Sequence, residues 1–476
     1  MLKKEIYWNK WEVKTLKKAR DEDKAILLFI ESSSSNLSKI MSEESFSDES
    51  IIEIINERFI PIRVNKYERP DIERYYQKVY TLMNRQAANS PLTIFLTQEL
   101  KPFYAGSYIA PQDIDAQLGF EALLRVISNK YIIDYDTLVQ KGNEVLDYID
   151  PKQQNIEATK LNINITKTIQ IHMKELLNKE FGGFSKAPKF PNSSTLELLF
   201  DVYELEKNPQ LLEAITLTLD NMTKGGFYDL KNGGFYSYAI DEKWEKPYEV
   251  KTTYDNALLA QLYLRAYKIT GNEEYKNVAL KTIDFLLSQQ NSNKLFSLNN
   301  ESIISSWNAI MVTTLFKASD IDKRYKVNAI ESLEAILSKL YINGTLYHSE
   351  DIKAFLEDYT FLGESLIVAY EYSSDESFLI MAIQFANIII EQFYQQSSWS
   401  YSVSDVKTKE SIHDGYIPSS IASALSLLLS ISSLVDDNYK KFVFKTLEFN
   451  SYSLMRQPLS SPKMTQMLLR YLGDFK

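Results

Sequence analysis

The sequence predicts an α/β domain on a small central sheet, followed by an all-α domain of paired helices closed into a toroid. Three observations predict it. Short apolar runs at 24–30 (KAILLFI), 59–64 and 92–96 are bounded by charge or turn residues and separated by helical periodicity. From Tyr131 onward the pattern is helical nearly throughout, in segments typical of antiparallel helical pairs. Between those segments glycine turns recur, many followed by an aromatic residue: Gly182-Gly183-Phe184, Gly225-Gly226-Phe227, Gly233-Gly234-Phe235, Gly344 and Gly415. The expected domains are therefore 1–130 and 131–476.

Composition bounds the function. With 476 residues, 45% hydrophobic and 24% charged, the chain is long enough for a large globular core. A net charge of −10 argues against nucleic acid or an anionic membrane as partner, since either would want a basic face. The absence of cysteine removes disulfides, thiolate catalysis and Cys-ligated metals together. His172, His348 and His413 are far apart in sequence, so no metal and no cofactor are expected. The N-terminal residues lack an apolar signal core, and the apolar stretch 420–435 is short and interrupted by serines, so a cytoplasmic protein is expected.

In order, the first domain reads as strand 24–30, a helix-like stretch to Met41, helix 49–58 capped by Asp48, strand 59–64, helix 71–82, strand 92–96, a turn into 103–108, and helix 112–128. This is the thioredoxin layout. The segments EESFSDESIIEIINERFIPIRVNKYERPDIERYY and SPLTIFLTQELKPFYAGSYIAP resemble the DUF255 family, which includes spermatogenesis-associated protein 20 and its bacterial relatives. The resemblance implies a Cys-x-x-Cys motif at a helix start. This chain instead reads SSSSNLSKIM, with Ser35 and Leu37-Ser38 near the cysteine positions. A hydroxyl cannot cycle through a disulfide, so redox activity is excluded. Pro91 matches the family's structural cis-proline, and the Ser90–Pro91 bond is expected to be cis. The family's Gly-Gly-Trp before it is Ala88-Asn89-Ser90 here. Two readings of this domain follow: a docking face for a protein partner, or a retained scaffold.

Helices are predicted over 134–148, 162–179, 193–206, 209–222, 254–270, 273–289, 305–319, 325–340, 357–372, 376–395, 417–435, 437–448 and 462–472. The segments NKEFGGFSKAPKFPNSSTLELL, GGFYDLKNGGFYSYAIDEKW, YDNALLAQLYLRAY, SSWNAIMV, LEDYTFLGESLIVAYE and DGYIPSS resemble the same family, in its order. The resemblance implies an (α/α)6-barrel similar to N-acylglucosamine 2-epimerases and six-hairpin glycosidases, and brings no established reaction with it.

The candidate chemistry lies where loops enter helices. Asp255 and Asp358 are the candidate catalytic acids, since paired carboxylates at a suitable separation perform glycoside hydrolysis. Asn256, Asn308, Glu357, Asp241 and Asp414 are candidate hydrogen-bonding residues for a substrate, and Tyr238, Trp244, Tyr248 and Trp307 candidate stacking walls. Helix capping and core packing are the alternative roles for each. Where the family reads His-Phe-Glu-Lys, this chain has Tyr248-Glu249-Val250-Lys251, so the imidazole suited to epimerisation at neutral pH is absent. Two functions remain: a barrel that binds or processes a carbohydrate, and a non-catalytic scaffold in which both ancestral sites are lost.

Overall fold

The computed structural model describes residues 5–33, 35–87, 90–115, 117–149, 157–298, 302–404 and 406–473. The chain divides into two compact units, Met1–Asn155 and Ile156–Lys476.

The first unit contains α1 (Val13–Asp21), β1 (Ala25–Glu31), α2 (Asn36–Glu43), α3 (Glu49–Arg58), β2 (Phe59–Asn65), α4 (Pro70–Asn84), β3 (Leu92–Leu96), β4 (Pro102–Gly106), α5 (Phe120–Ile133) and α6 (Tyr135–Ile149). The sheet order is β2-β1-β3-β4. β1 runs parallel to β2 and antiparallel to β3. Its unalternating run Ala-Ile-Leu-Leu-Phe-Ile is buried on both faces, as a central strand covered by helices requires. α3 begins where Asp48 accepts the N–H groups of Ser50 and Ile51 at 2.9 and 3.0 Å.

Two boundaries differ from the sequence expectation. α5 starts at Phe120 rather than 112. The Asp113 carboxylate accepts the Gly119 N–H at 2.7 Å, and Ile114 and Gln117 exchange main-chain hydrogen bonds, so a turn holds the helix back. The break expected after residue 130 also differs. α6 packs on α4 and β4, with Gly142 so close to Lys101 that a Cβ would lie 2.6 Å from that residue's Cβ. The compact unit therefore runs on to Asn155.

The second unit contains α7 (Ile165–Leu176), α8 (Ser193–Glu206), α9 (Pro209–Lys224), the short strands β5 (Tyr238–Ala239) and β6 (Pro247–Tyr248), α10 (Thr253–Thr270), α11 (Glu273–Ser288), α12 (Ser305–Ala318), α13 (Arg324–Leu340), the three-stranded β7 (Tyr341–Ile342), β8 (Thr345–Ser349) and β9 (Ile352–Lys353), then α14 (Leu356–Ser373), α15 (Glu376–Gln392), α16 (Ser420–Leu434), α17 (Lys440–Phe449), α18 (Ser451–Arg456) and α19 (Pro462–Gly473). Among the described residues, α8, α10, α12, α14, α16 and α19 each pack on the next, and α19 packs back on α8, so the ring closes. α9, α11, α13, α15 and α17 pack outside on α8, α10, α12, α14 and α16 respectively. This is an (α/α)6-barrel. The inner helices are buried nearly all round, as a helix between two ring neighbours and an outer partner must be.

The starts of the inner helices are fixed by buried polar side chains. Asn256, in the first turn of α10, accepts the Phe235 N–H at 2.5 Å and donates to the carbonyls of Phe235 and Thr252 at 2.9 and 2.8 Å. Asn308 repeats the arrangement on α12. It accepts from the Phe296 N–H at 2.7 Å and donates to the Phe296 and Ile304 carbonyls at 3.1 and 2.9 Å. The Gly-Gly-Phe turn comes close because it carries no side chain there. Gly234 has φ +82°, and a Cβ on it would lie 2.7 Å from the Phe285 ring and 3.0 Å from Asn256 Oδ1.

Removing either amide strands buried main-chain groups at about 1–3 kcal/mol each, so Asn256→Ala and Asn308→Ala are each expected to lose about 3 kcal/mol or more in urea unfolding. A loss below about 1 kcal/mol in either would show that the clamp does not hold the loop.

Candidate functional site

The ring encloses a cavity of about 580 Å³ lined from all six inner helices. Each helix contributes a stripe one face wide. α8 supplies Glu197, Asp201 and Glu204, and α10 supplies Leu258, Gln261 and Arg265. α12 supplies Ile310, Thr313 and Lys317, while α14 supplies Phe361, Glu364, Val368 and Glu371. α16 adds Ser426 and Ser430, and α19 adds Lys463, Gln466 and Arg470. Spacings of three, four and seven residues put each set on one helical face, here the face turned into the bore.

Arg265 organises one side. Its guanidinium donates to Glu197 at 2.5 Å, to Asp201 at 2.6 Å and to Glu204. Gln466 donates to the second oxygen of Asp201 at 2.7 Å, which ties α19 to α8. Lys317 donates to Gln261 at 2.7 Å, and Arg470 donates to Ser430 at 2.9 Å. The two carboxylates that share Arg265 are pushed in opposite directions. For Asp201, burial prevails and raises its carboxyl above the ordinary value. For Glu197, burial is again the largest single effect, but the charge and hydrogen bond of Arg265 together with the Lys317 and Lys463 charges outweigh it and hold the carboxyl below its ordinary value. Two acids on successive turns with divergent affinities for a proton are the arrangement that proton transfer needs.

None of the residues singled out from the sequence lines this cavity. Asp255 is bonded within its own helix cap, accepting from the Thr252 hydroxyl at 2.6 Å. Asn256 and Asn308 are the loop clamps described above. Asp358 is buried. It accepts the Phe355 N–H at 2.8 Å and the Ser306 N–H at 3.2 Å, so one carboxylate caps both α14 and α12. Glu357 is buried beside it and accepts from the Ser306 hydroxyl at 3.1 Å. Asp414 accepts the N–H groups of Ser419 and Lys463 at 2.7 and 2.9 Å, joining the starts of α16 and α19; burial raises its carboxyl above the ordinary value.

The remaining candidates build loops. Asp241 accepts from the main-chain N–H groups of Lys243, Glu245 and Lys246; partial burial works against its charge, but these donors prevail and hold it below the ordinary value. Trp244 is buried with its indole N–H on the Phe181 carbonyl at 3.0 Å. Tyr238 and Tyr248 stack on each other across β5 and β6 at 5.0 Å. Trp307 packs on Tyr254 at 4.9 Å, and Tyr254 on Tyr416 at 5.1 Å. These ring contacts join α12 to α10, and α10 to the loop before α16.

His348 is far from the other histidines in sequence and is not among the residues singled out above. It lies buried on β8 with Nδ1 2.9 Å from both carboxylate oxygens of Asp358. Donor atoms of His348, Glu357 and Asp358 lie within 4.8 Å of one another, the one group among the described residues with the composition to hold a metal. Two main-chain N–H donors already face Asp358, which favours a hydrogen-bond hub over a cation site.

In the first unit the Ser90–Pro91 bond is cis. Ser35 caps α2 and donates its hydroxyl to the Ser90 carbonyl at 2.6 Å. A serine thus stands against the cis-proline where the family resemblance implies a thiol. Ala88 and Asn89 lie outside the described residues. Among the described residues no helix is long and apolar enough to cross a membrane.

Residues 1–150 match the family described as "Protein of unknown function, DUF255" (Thioredox_DsbH). The chain is similar to spermatogenesis-associated protein 20 of Mus musculus, 30% identical over 291 residues that cover 59% of this chain and 36% of that one. The Homo sapiens counterpart is 29% identical over 291 residues, covering 59% and 37%. The chain thus spans little more than a third of the length of these relatives. Among solved structures, a cellobiose 2-epimerase from Bacillus thermoamylovorans aligns with a TM-score of 0.51 at 14% identity, covering 61% of this chain and 85% of that one. An α-mannanase from Bacteroides thetaiotaomicron aligns with a TM-score of 0.51 at 15% identity, covering 65% and 94%. A D-mannose isomerase aligns with a TM-score of 0.51 at 12% identity, covering 67% and 100%. At these identities the likeness is one of fold.

Arg265→Met leaves three carboxylates facing each other and is expected to cost about 3–5 kcal/mol near neutral pH. The pH dependence has a definite sign. Glu197 is depressed in the folded state, so its contribution is present above its unfolded value of about 4.3 and is lost as pH falls through the folded value. Urea unfolding should therefore show a penalty that is large at neutral pH and shrinks in acid. An equal penalty at both would contradict this assignment.

Proposed function

We propose that the barrel binds a carbohydrate in its bore and that the first domain, whose residues 1–150 match the DUF255 family, works without thiol chemistry. The observation that carries the reading is the cavity of about 580 Å³ in which carboxylates, amides and cations converge from six helices. Its size falls within the roughly 300–1,000 Å³ of small-molecule sites. Sugar hydroxyls both donate and accept, so acids and cations serve them together. Phe361, Leu258 and Ile310 supply an apolar wall for a pyranose face. Proton transfer is the chemistry available there, with Asp201 as the acid and Glu197 as the base. In this reading Asp255 and Asp358 hold loops and helix starts rather than substrate.

A scaffold without a ligand is the second reading. It is favoured by the packing of Trp307 on Tyr254 and by the capping roles of Asn256, Asn308, Asp358 and Asp414, which leave these residues structural. A protein partner on the cis-proline face of the first domain fits either reading.

Thermal unfolding in a panel of hexoses and disaccharides separates them. A ligand at a hundredfold excess over Kd stabilises by about 2.7 kcal/mol, a midpoint rise of about 2 °C or more. Glu364→Gln should weaken that shift. A flat response of the intact protein across the panel would refute carbohydrate binding. The first domain should give no turnover of dithiol-driven insulin reduction, and measurable turnover would overturn the chemical argument about Ser35.

A further inference from the structure

The cations of the bore are not equivalent. Arg265 is neutralised by three carboxylates. Lys317, Lys463 and Arg470 line the same cavity, and none of them forms an ion pair with a carboxylate among the described residues. Lys317 gives one hydrogen bond, to the neutral amide of Gln261. Among the described residues Arg470 bonds only to α16, through the Ser430 hydroxyl and Ser426. The ammonium of Lys463 has no hydrogen bond among the described residues. Lys317 and Lys463 are also close enough to repel. Burial lowers the Lys317 ammonium below its ordinary value, Glu197 opposes that, and Lys463 lowers it further. Glu197 acts on both ammonium groups from a distance but is bonded to Arg265, so neither lysine has a carboxylate in direct contact and both can donate to an anion placed between them. Glu364 and Glu371 share the lining and attract Arg470 at range, which leaves their oxygens to accept hydroxyl donors.

Resting on the carbohydrate reading, we infer that the bore takes an acidic sugar: its carboxylate or phosphate lies between Lys317 and Lys463, and its hydroxyls meet Glu364 and Glu371. The shared chemistry is a polyol bearing one anionic group. A neutral sugar would leave both ammonium groups as they stand. Inorganic phosphate would answer them but leave the acids of α14 without donors.

Calorimetric titration of the full chain with glucuronate, glucose 6-phosphate, glucose and inorganic phosphate tests this. At low ionic strength the acidic sugars should bind about tenfold or more tighter than glucose. That advantage should fall with added salt while glucose binding does not. Lys317→Gln and Lys463→Gln should each remove most of the advantage, lowering acidic-sugar affinity far more than glucose affinity. Should either variant fail to fold, the salt dependence on the intact protein stands as the test. The uronate and phosphate arms identify which anion is preferred. Glucose binding as tightly as both acids would overturn this inference and leave the carbohydrate reading intact. Binding of inorganic phosphate as tightly as the acidic sugars would overturn it by showing an anion site indifferent to the polyol. No binding by any sugar would overturn both.

Discussion

A ring of six helices has to stop its members from sliding, and here a small set of buried polar side chains does that at the helix starts. Asn256 and Asn308 each hold both main-chain groups of a phenylalanine in the preceding loop. Asp358 joins the starts of α12 and α14, and Asp414 joins those of α16 and α19. Each is low in solvent exposure, so its alternative to these bonds is a desolvated polar group. The dense apolar packing between inner and outer helices stabilises the barrel without specifying its register. The stitching at the starts specifies it.

That constraint separates structure from chemistry. The residues next to the glycine-aromatic turns shape the loops, and the polar groups that remain accessible lie deeper, on the face each inner helix turns to the bore. Ring neighbours and outer partners cover the other faces, so the bore stripe is where charge has access to water or a ligand. Arg265 gathers the acids of α8, while Lys317, Lys463 and Arg470 lie toward α12, α19 and α16. Acids and cations thus share one cavity, with Glu364 and Glu371 of α14 facing the same space as Lys317 and Arg470.

Much of this architecture is legible in the sequence because periodicity and turn chemistry report on it directly. The Gly-Gly-Phe turns mark the loops, and the helical spans fall close to the observed ones across the barrel. The cis bond at Pro91 and the serine opposite it follow from the family resemblance. The bore is not legible in the sequence, because a charged residue every third or fourth position also describes a solvent-facing stripe. Glu197, Asp201 and Glu204 look like such a stripe until α8 is known to face inward. The weak signal was there: these charges sit in helices too apolar on the remaining faces to be peripheral. Asp255, Asn256 and Asp358 misled for a related reason. Short polar residues at a helix start serve equally as caps and as pocket walls, and only the position of the loop main chain decides between them. His348 falls in a short strand between turns, a segment that shows no period of its own.

In the proposed reading, helix-start residues build the ring while the charged stripe within it receives the ligand. A crystal structure of the protein grown with glucuronate tests it most directly. The account predicts ligand density inside the bore, its carboxylate against Lys317 and Lys463, with the Asn256, Asn308 and Asp358 hydrogen bonds unchanged. Density seated on Asp255 or Asp358, with those main-chain bonds broken to receive it, would contradict it.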